Sequence, residues 1–318
     1  MKDSPRLANF PVSFFSVVMG ICGLAIATQK IEEFLNIGDV VSTVLLAIAL
    51  LVFFVLTVTY ALKLLRYRAQ CAIEFNDPVG LSFFPTFSIS LLLISVTFLP
   101  LSSRTSLVFW IVGAALHLVL TLIVLSRWVQ HEGFDISHMS PAWFIPVVGN
   151  ILVPIAGVVH APHEISWFFF SVGIVFWIVL QTLFFYRIFF HSPLPEMLLP
   201  TFFILLAPPS VGFIAYVKLS GVLDNFAKIL YYFALFVFLF LLVQLRALAR
   251  TRFFLSWWAY SFPVAALTIA SVLMYHETEL LFFKVLSYFF FAVLVVIVCL
   301  LSVLTIRHVA RRQIPAEK

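Results

Sequence analysis

The sequence predicts an all-α integral membrane protein whose ten transmembrane helices form five helical hairpins in a quasi-five-fold arrangement around a central pore. Three observations predict this fold: an apolar composition, ten long stretches without charge, and a proline in every second stretch. Of 318 residues, 63% are hydrophobic and 10% are charged, whereas soluble domains have about 45–50% apolar and about 25% charged residues. A soluble fold is excluded, because the chain has too few charges to cover its surface.

Ten stretches of the chain contain no Asp, Glu, Lys or Arg. A hydrocarbon core of about 30 Å is crossed by a helix of about 20 residues, and each stretch has a suitable length. Ten crossings place both termini on the same side of the membrane. The stretches are Phe10–Gln29, Val40–Leu62, Val79–Ser103, Thr105–Ser126, Ile136–His163, Ile165–Tyr186, Met197–Val217, Ile229–Leu245, Phe253–His276 and Val285–Ile306.

The basic residues are distributed unequally between the two sides. Of the nineteen Lys and Arg, fourteen lie in the tails and the even-to-odd connections, whereas five lie in the odd-to-even connections. The positive-inside rule therefore predicts cytoplasmic termini. The excess of basic residues that gives the basic pI is explained by the orientation in the membrane and by attraction to anionic membrane lipids. We expect no nucleic acid partner.

Several other classes of protein are disfavoured by what the sequence lacks. Cys22, Cys71 and Cys299 are widely spaced without a CxxC pair, so neither a disulfide framework nor a zinc site is predicted. The N-terminus has no small-residue cleavage pattern, so we expect the first span to be retained. No GxxxxGK loop occurs, which argues against an ATP-driven pump. We expect no cofactor, no metal and no enzymatic activity.

The prolines predict an internal repeat. One proline recurs in each odd stretch at intervals of 74, 61, 62 and 55 residues, and the even stretches contain none. Proline kinks a helix by removing a backbone hydrogen bond. Although prolines are also simply tolerated in membrane helices, this alternation favours five hairpins within one domain over residues 1–318, at about 9–66, 78–128, 141–190, 197–246 and 253–307. The predicted kinks are Pro11, Pro85, Pro146, Pro208 and Pro263.

The odd stretches are predicted to form an inner ring and the even stretches an outer one. Small and hydroxylic residues interrupt the odd stretches and allow close helix approach or an open lumen, whereas the even stretches are rich in Leu, Val and Phe. Asn150 either lines the pore or hydrogen-bonds a neighbouring helix. The predicted pore-lining residues are Ser13, Gly20, Phe84, Thr86, Val147, Asn150, Ala207 and Ser210.

No ionisable residue of the Asp, Glu, Lys or Arg type lies deep within a predicted span. Proton-coupled carriers usually place such groups there. His117 falls on an outer helix and is interpreted as a packing residue, and His160 and His163 as loop residues rather than a metal pair. A pore without fixed charge passes weakly hydrated ions most easily, and the basic cytoplasmic side favours anions.

Motifs spread from Phe10 to about Arg307 resemble a known family. The chain is similar to the bacterial tellurite-resistance protein TehA and to the plant guard-cell slow anion channels, within the tellurite-resistance/dicarboxylate transporter family. Val148-Gly149-Asn150 and Pro208-Pro209-Ser210-Val211 are similar to the plant branch. The other motifs are Phe10-Pro11-Val12-Ser13-Phe14-Phe15-Ser16 through Gly20, Asp77-Pro78-Val79 with Ser82-Phe83, Leu206-Ala207-Pro208 with Ala215-Tyr216, Ala227-Lys228-Ile229-Leu230, and Trp258-Ala259-Tyr260-Ser261-Phe262 with Tyr275-His276.

The resemblance implies a homotrimer with one pore in each subunit and a phenylalanine gate from the ninth helix. The matching gate residue is Phe262, and Ser13 and Ser16 stand where the family often has glycines facing the gate. We therefore expect a passive gated channel for small inorganic anions such as chloride and nitrate. The alternative is a secondary transporter or exporter of dicarboxylate, sulfite or tellurite-type anions. A dianion carrier is expected to hold a basic residue within the membrane, and the predicted spans show none.

Overall fold

The computed structural model describes residues 6–130, 133–248 and 252–311, without the side chains of residues 246–248. The regular secondary structure of the described residues is helical, and they contain no strand. Five of the basic residues counted on the predicted cytoplasmic side lie outside these residues or have undescribed side chains. They are Lys2, Arg246, Arg250, Arg312 and Lys318.

Ten helices in the described chain are long and apolar enough to cross a membrane. This confirms the predicted all-α fold class with ten transmembrane helices, and the protein is an integral membrane protein. A short helix, Arg68–Asn76, connects the second and third of them. Named α1 to α10, the ten helices are Val12–Leu35, Val40–Arg66, Gly80–Phe98, Ser103–Gln130, Pro141–His160, His163–Phe190, Glu196–Ser220, Asn225–Leu248, Leu255–Thr278 and Leu281–Ala310.

The odd helices differ from the even ones in their winding. Every odd helix begins with a 3₁₀ segment and continues as α-helix, whereas every even helix is a continuous α-helix. A 3₁₀-helix has three residues per turn and is usually short. The opening 3₁₀ segments are Val12–Phe14, Gly80–Phe83, Pro141–Trp143, Glu196–Leu206 and Leu255–Tyr260.

The repeat prolines lie at or near these changes of winding rather than in the middle of long α-helices. Pro85 directly precedes the α segment of α3, and Pro208 and Pro263 lie in the first turns of the α segments of α7 and α9. Proline is tolerated there because first-turn N–H groups have no intrahelical partner. Pro146 lies within the short α segment Phe144–Val148, and Pro11 caps the first 3₁₀ segment. Pro85, Pro208 and Pro263 therefore mark transitions between windings, and Pro11 precedes its helix.

The five odd helices form a closed inner ring. α1 contacts α3, α3 contacts α5, α5 contacts α7, α7 contacts α9, and α9 contacts α1. In the most apolar part of each helix, 67–89% of the residues of the odd helices are buried, against 22–39% for the even helices. Each even helix packs outside the ring against the odd helix that precedes it.

Both ends of the described chain lie at one end of the bundle, which we call the terminal end. There the Lys63 ammonium at the end of α2 donates a hydrogen bond to the Phe10 carbonyl oxygen at 2.8 Å. The rings of Phe253 and His308, from the start of α9 and the end of α10, are 4.7 Å apart. At the opposite end, the buried Glu32 carboxylate accepts hydrogen bonds from the Val41 and Ser42 N–H groups and so caps α2.

A buried ion pair fixes the start of α1. Lys63 and Glu74 form a salt bridge of 2.5 Å, and the Lys63 side chain is 3% exposed. The second Glu74 carboxylate oxygen accepts the Val12 N–H at 2.6 Å, and the Tyr60 hydroxyl donates to the first. The carboxylate thus holds the otherwise unpaired first amide of α1 in place.

Candidate functional site

The inner ring encloses a cavity of about 90 Å³ near the terminal end. All five odd helices contribute to its lining, with residues from their 3₁₀ segments and the first turns of their α segments. Among the described residues that line it, none is Asp, Glu, His, Lys or Arg. The cavity can hold several water molecules or a small ion, and its wall carries no fixed charge.

Several predicted site residues meet at this cavity. α1 contributes two serines three residues apart, α3 a threonine, and α7 and α9 contribute residues at or next to their repeat prolines. The predicted residues that line the cavity are Ser13, Ser16, Thr86, Ala207, Pro208, Phe262 and Pro263.

The structure places the other five predicted pore-lining residues on different faces of their helices. Gly20 faces α9, and Phe84 faces Tyr60 and Phe75 at the outside of the ring. In α5 the cavity is lined by Ile145, Val148, Gly149, Ile151 and Leu152, so Val147 and Asn150 lie off that face. Ser210 is fully buried and its hydroxyl donates to the Leu206 carbonyl oxygen. None of these five residues lines this cavity, and their place along the pore stays a prediction.

Asn150 makes the hydrogen bonds of a packing residue. Its amide Nδ2 donates to the Val147 carbonyl oxygen at 2.7 Å and to the Thr121 hydroxyl of α4 at 3.0 Å. The Thr121 hydroxyl also lies 2.6 Å from the Pro146 carbonyl oxygen. Of the two interpretations from the sequence, the structure favours the hydrogen bond to a neighbouring helix.

The three histidines singled out in the sequence also lie away from the cavity. His117 is fully buried, and its Nδ1 is 2.9 Å from the Ser88 hydroxyl of α3. The Nε2 atom of His160 is 2.7 Å from the Ser106 hydroxyl of α4. The described residues contain no group of three His, Cys, Asp or Glu able to hold a metal. His163 opens α6.

Two of the hydroxyls that line the cavity, those of Ser16 and Thr86, donate to carbonyl oxygens of their own helices, whereas the Ser256 hydroxyl of α9 donates to the Met197 carbonyl oxygen of α7. The Ser16 hydroxyl donates to the Ser13 carbonyl oxygen at 2.6 Å, and the Thr86 hydroxyl donates to the Phe83 carbonyl oxygen at 2.5 Å. In this arrangement their lone pairs, not their protons, are available to the cavity. A hydroxyl must rotate to donate to a passing anion, so it offers a weak and transient contact rather than a binding site.

Phe262 lines the cavity beside α1. Its chain neighbours Ser261 and Pro263 are buried, whereas Phe262 is only partly buried and lines the cavity. A Cβ atom added to Gly23 of α1 would lie 3.5 Å from the Phe262 ring and 2.9 Å from the Cβ of Ala265. The missing side chain of Gly23 therefore lets α1 and α9 approach beside the ring.

Gly20 makes a second close approach to α9. A Cβ atom there would lie 2.3 Å from the Ser261 hydroxyl oxygen and 2.7 Å from the indole of Trp258. Trp258 is 1% exposed and also lines the cavity. Sequence reasoning missed the roles of Gly23 and Trp258. The available signal was the three-residue spacing of Gly20 and Gly23, which puts both glycines on one face of α1.

Basic side chains lie at the opposite end of the ring as well. The Lys218 ammonium, at the end of α7, donates to the Ile155 carbonyl oxygen of α5 at 3.3 Å. Its charge is close enough to interact with those of Lys30 and Glu33 on α1, and Lys30 and Glu33 form a salt bridge of 2.6 Å. Positive charge at both ends of the ring raises the local concentration of anions there.

Comparison with known proteins identifies the family. The SLAC1 family profile, described as "Voltage-dependent anion channel", matches residues 9–306. The chain belongs to the SLAC1 family. The match covers all ten helices except the last few residues of α10, so the family assignment applies to the whole ring.

Curated relatives within the SLAC1 family come from archaea, plants and bacteria. An uncharacterized transporter of Methanocaldococcus jannaschii is 30% identical, over 85% of this chain and 86% of its own length. The S-type anion channel SLAH2 of Arabidopsis thaliana is 28% identical, over 90% of this chain and 56% of its own length. A tellurite resistance protein TehA homolog of Haemophilus influenzae is 24% identical, over 92% of this chain and 90% of its own length. The resemblance deduced from the motifs is thus confirmed.

Proposed function

We propose that this SLAC1-family protein is a passive, gated channel for small monovalent anions such as chloride and nitrate. The observation that carries the proposal is the cavity, which all five inner helices line without a single charged or histidine residue among those described. A group that binds and releases a proton is required for a proton-coupled carrier. A wall of apolar residues and hydroxyls binds no anion tightly, so an anion that enters also leaves quickly.

Selectivity among anions follows from the same wall. An anion in the cavity loses part of its hydration shell and gains few hydrogen bonds in return. The penalty is smaller for a large, weakly hydrated anion than for a small, strongly hydrated one. We therefore expect nitrate to be more permeant than chloride. Preference for anions over cations comes from the basic residues at the two ends of the passage.

Phe262 is the gate in this proposal, and Ser16 lines the space next to it. The Phe262 side chain lines a cavity of only about 90 Å³, so in this proposal the position of its ring limits the width available to an ion with its water. Because Gly23 has no side chain, the backbone of α1 can pack directly beside the Phe262 ring. Small changes in the approach of α1 and α9 would shift the ring and change the width of the passage.

The proposal includes the orientation of the protein in the membrane and its assembly into a homotrimer. The excess of basic residues on the side of the tails supports cytoplasmic termini, in a bacterial inner membrane. The homotrimer implied by the family resemblance stays a prediction, which light scattering of the purified protein tests directly.

Anion flux into vesicles tests the function. Purified protein is reconstituted into vesicles loaded with an anion-quenched dye, and valinomycin sets the membrane potential with potassium. We expect nitrate and chloride entry to follow the imposed potential and to need no pH gradient. Entry that is independent of the potential, or that occurs only with a pH gradient, would contradict a passive channel. Protein-free vesicles are the control.

The second candidate is a secondary transporter or exporter of dicarboxylate, sulfite or tellurite-type anions. The observation in its favour is that two of the relatives are named as a transporter and a tellurite resistance protein. The cavity offers no basic side chain to neutralise a dianion. Saturable uptake of labelled succinate, sulfite or tellurite in the same vesicles, at rates far below those of a channel, would favour this candidate.

A further inference from the structure

A second cavity, of about 550 Å³, lies outside the inner ring. We call it the lateral groove. Its walls are the last turns of α2, the connecting helix Arg68–Asn76, and parts of α3 and α4, and α1 forms its floor. Apart from Thr57, Tyr60, Arg68 and Cys71, every residue that lines it is apolar. The groove belongs to the lipid-facing part of the protein, because α2 and α4 are outer helices.

The rim of the lateral groove is basic. Arg68 lines the groove and is exposed, and Arg66 is exposed at the end of α2. The Arg127 guanidinium lies over the ring of Phe75, a groove residue, at 5.5 Å. None of the three forms a salt bridge within the described chain, where Lys30–Glu33 and Lys63–Glu74 are the ion pairs. The Arg127 guanidinium donates a hydrogen bond to Asn76 Oδ1 at 3.1 Å. A guanidinium without a carboxylate partner above an apolar groove, such as that of Arg68, complements an acyl chain attached to an anionic phosphate.

The lateral groove and the central cavity share the first turn of α1. Val12 and Phe15 line the groove, whereas Ser13 and Ser16 line the central cavity. Glu74, on the connecting helix that forms one wall of the groove, accepts the Val12 N–H. An occupant of the groove therefore presses on a turn whose other face forms the wall of the proposed anion pathway.

We propose that the lateral groove binds an anionic glycerophospholipid, with an acyl chain against Phe84 and Phe87 and the phosphate on Arg68. The bound lipid supports Val12 and Phe15 and thereby fixes the position of Ser13 and Ser16. The second half of this proposal rests on the proposed channel function, whereas lipid binding does not. Binding and flux are therefore measured separately.

The binding experiment compares two matched arginines. Wild type, Arg68→Gln and Arg104→Gln are purified from vesicles of phosphatidylethanolamine and phosphatidylglycerol at 3:1, and retained lipid is measured by mass spectrometry. Arg104 is exposed at the start of α4, at the opposite end of the bundle. We expect Arg68→Gln to retain about fivefold less phosphatidylglycerol, the contribution of one basic residue, and Arg104→Gln to match wild type. Equal retention by all three proteins would overturn the proposal.

A second pair of variants fills the groove. Ala72→Trp places an indole in the groove, whereas Ala69→Trp adds one to the same helix at an exposed position that does not line it. We expect only Ala72→Trp to lose the lipid, with an unchanged elution volume and oligomeric mass. If Ala72→Trp instead changes the oligomeric mass, the groove is an interface with a second copy of the chain and the lipid assignment is wrong.

Flux in vesicles then tests the coupling. Wild-type nitrate flux is expected to fall at least threefold when phosphatidylglycerol is replaced by phosphatidylcholine, and Arg68→Gln is expected to show the low flux in both mixtures. If wild-type flux is the same in both mixtures while lipid retention differs, the groove binds lipid without affecting conduction and the coupling is refuted. Absence of flux in every mixture would refute the channel function and leave the retention result standing.

Discussion

Replacement of the proposed gate, Phe262→Ala, is expected to increase anion current at least tenfold. The change removes six carbon atoms from the wall of a cavity of about 90 Å³, so we expect the passage to become wide enough for an anion to keep more of its water. Stripping water from an ion costs several kcal/mol, and a reduction of the barrier by about 1.4 kcal/mol is already a tenfold change in rate.

The variant is expected to stay folded. A fully buried phenylalanine costs about 3–5 kcal/mol when it is replaced by alanine, and Phe262 is only partly buried, so we expect roughly half of that loss. The assay is a voltage clamp on cells that express wild type, Phe262→Ala or Phe54→Ala. Phe54 is 66% exposed on α2 and serves as the lipid-facing control.

Surface expression, measured by labelling, separates a closed channel from a missing one. If Phe262→Ala reaches the surface at the wild-type level and its current equals that of wild type and Phe54→Ala, the gate assignment is refuted. If the current of Phe262→Ala differs from that of wild type only in proportion to its surface level, the current reports the amount of protein and the gate assignment is also refuted.

Three further predictions concern helix packing, the buried ion pair and the pH dependence. Gly20→Ala is expected to lower the free energy of unfolding by about 1–3 kcal/mol through overpacking against Ser261 and Trp258, whereas Gly38→Ala, which meets nothing within 4 Å, should match wild type in a thermal-shift assay. Glu74→Ala is expected to cost about 3–5 kcal/mol because it leaves the Lys63 charge buried and unpaired; Lys63→Met combined with Glu74→Met should recover part of the loss, and no recovery would contradict the ion-pair argument. Nitrate flux is expected to be the same at pH 6 and pH 8, because the described cavity lining has no group that titrates in that range; a severalfold change would indicate a titrating group in the pathway.

The positions of the charged residues and prolines along the chain were sufficient to predict the helices and their layers. Stretches free of charge correspond to the ten helices, and the alternation of proline-bearing and smooth stretches corresponds to the inner and outer layers. Both features follow from hydration: charged residues stay out of hydrocarbon, and interrupted winding is tolerated only where protein surrounds it. The sequence therefore predicts which helices form the ring.

The faces of the inner helices were harder to predict. An α-helix turns about 100° per residue and a 3₁₀-helix about 120°, so each change of winding shifts the face that later residues occupy. α5 alternates between the two windings twice, and there Val147 and Asn150 lie off the cavity while Val148 and Gly149 line it. Nothing in the local sequence determines which residues face the cavity after each change of winding.

Contacts between distant helices were also beyond the sequence. Gly20 packs against Trp258, more than two hundred residues later in the chain, and no single-sequence pattern pairs them. Phe262 was assigned from the family resemblance and its position before Pro263. The structure places it at the cavity beside Gly23, which supports its proposed role as the gate.

The most direct test of passive anion conduction is the reversal potential of purified protein in a planar bilayer. A tenfold chloride gradient is imposed, first at equal pH and then with a difference of one pH unit. For a passive channel we expect a reversal potential near the chloride equilibrium value of about 59 mV for a monovalent ion, unchanged by the pH gradient. A reversal potential that moves with the pH gradient, or the absence of any current while labelled anion is still transported, would contradict it.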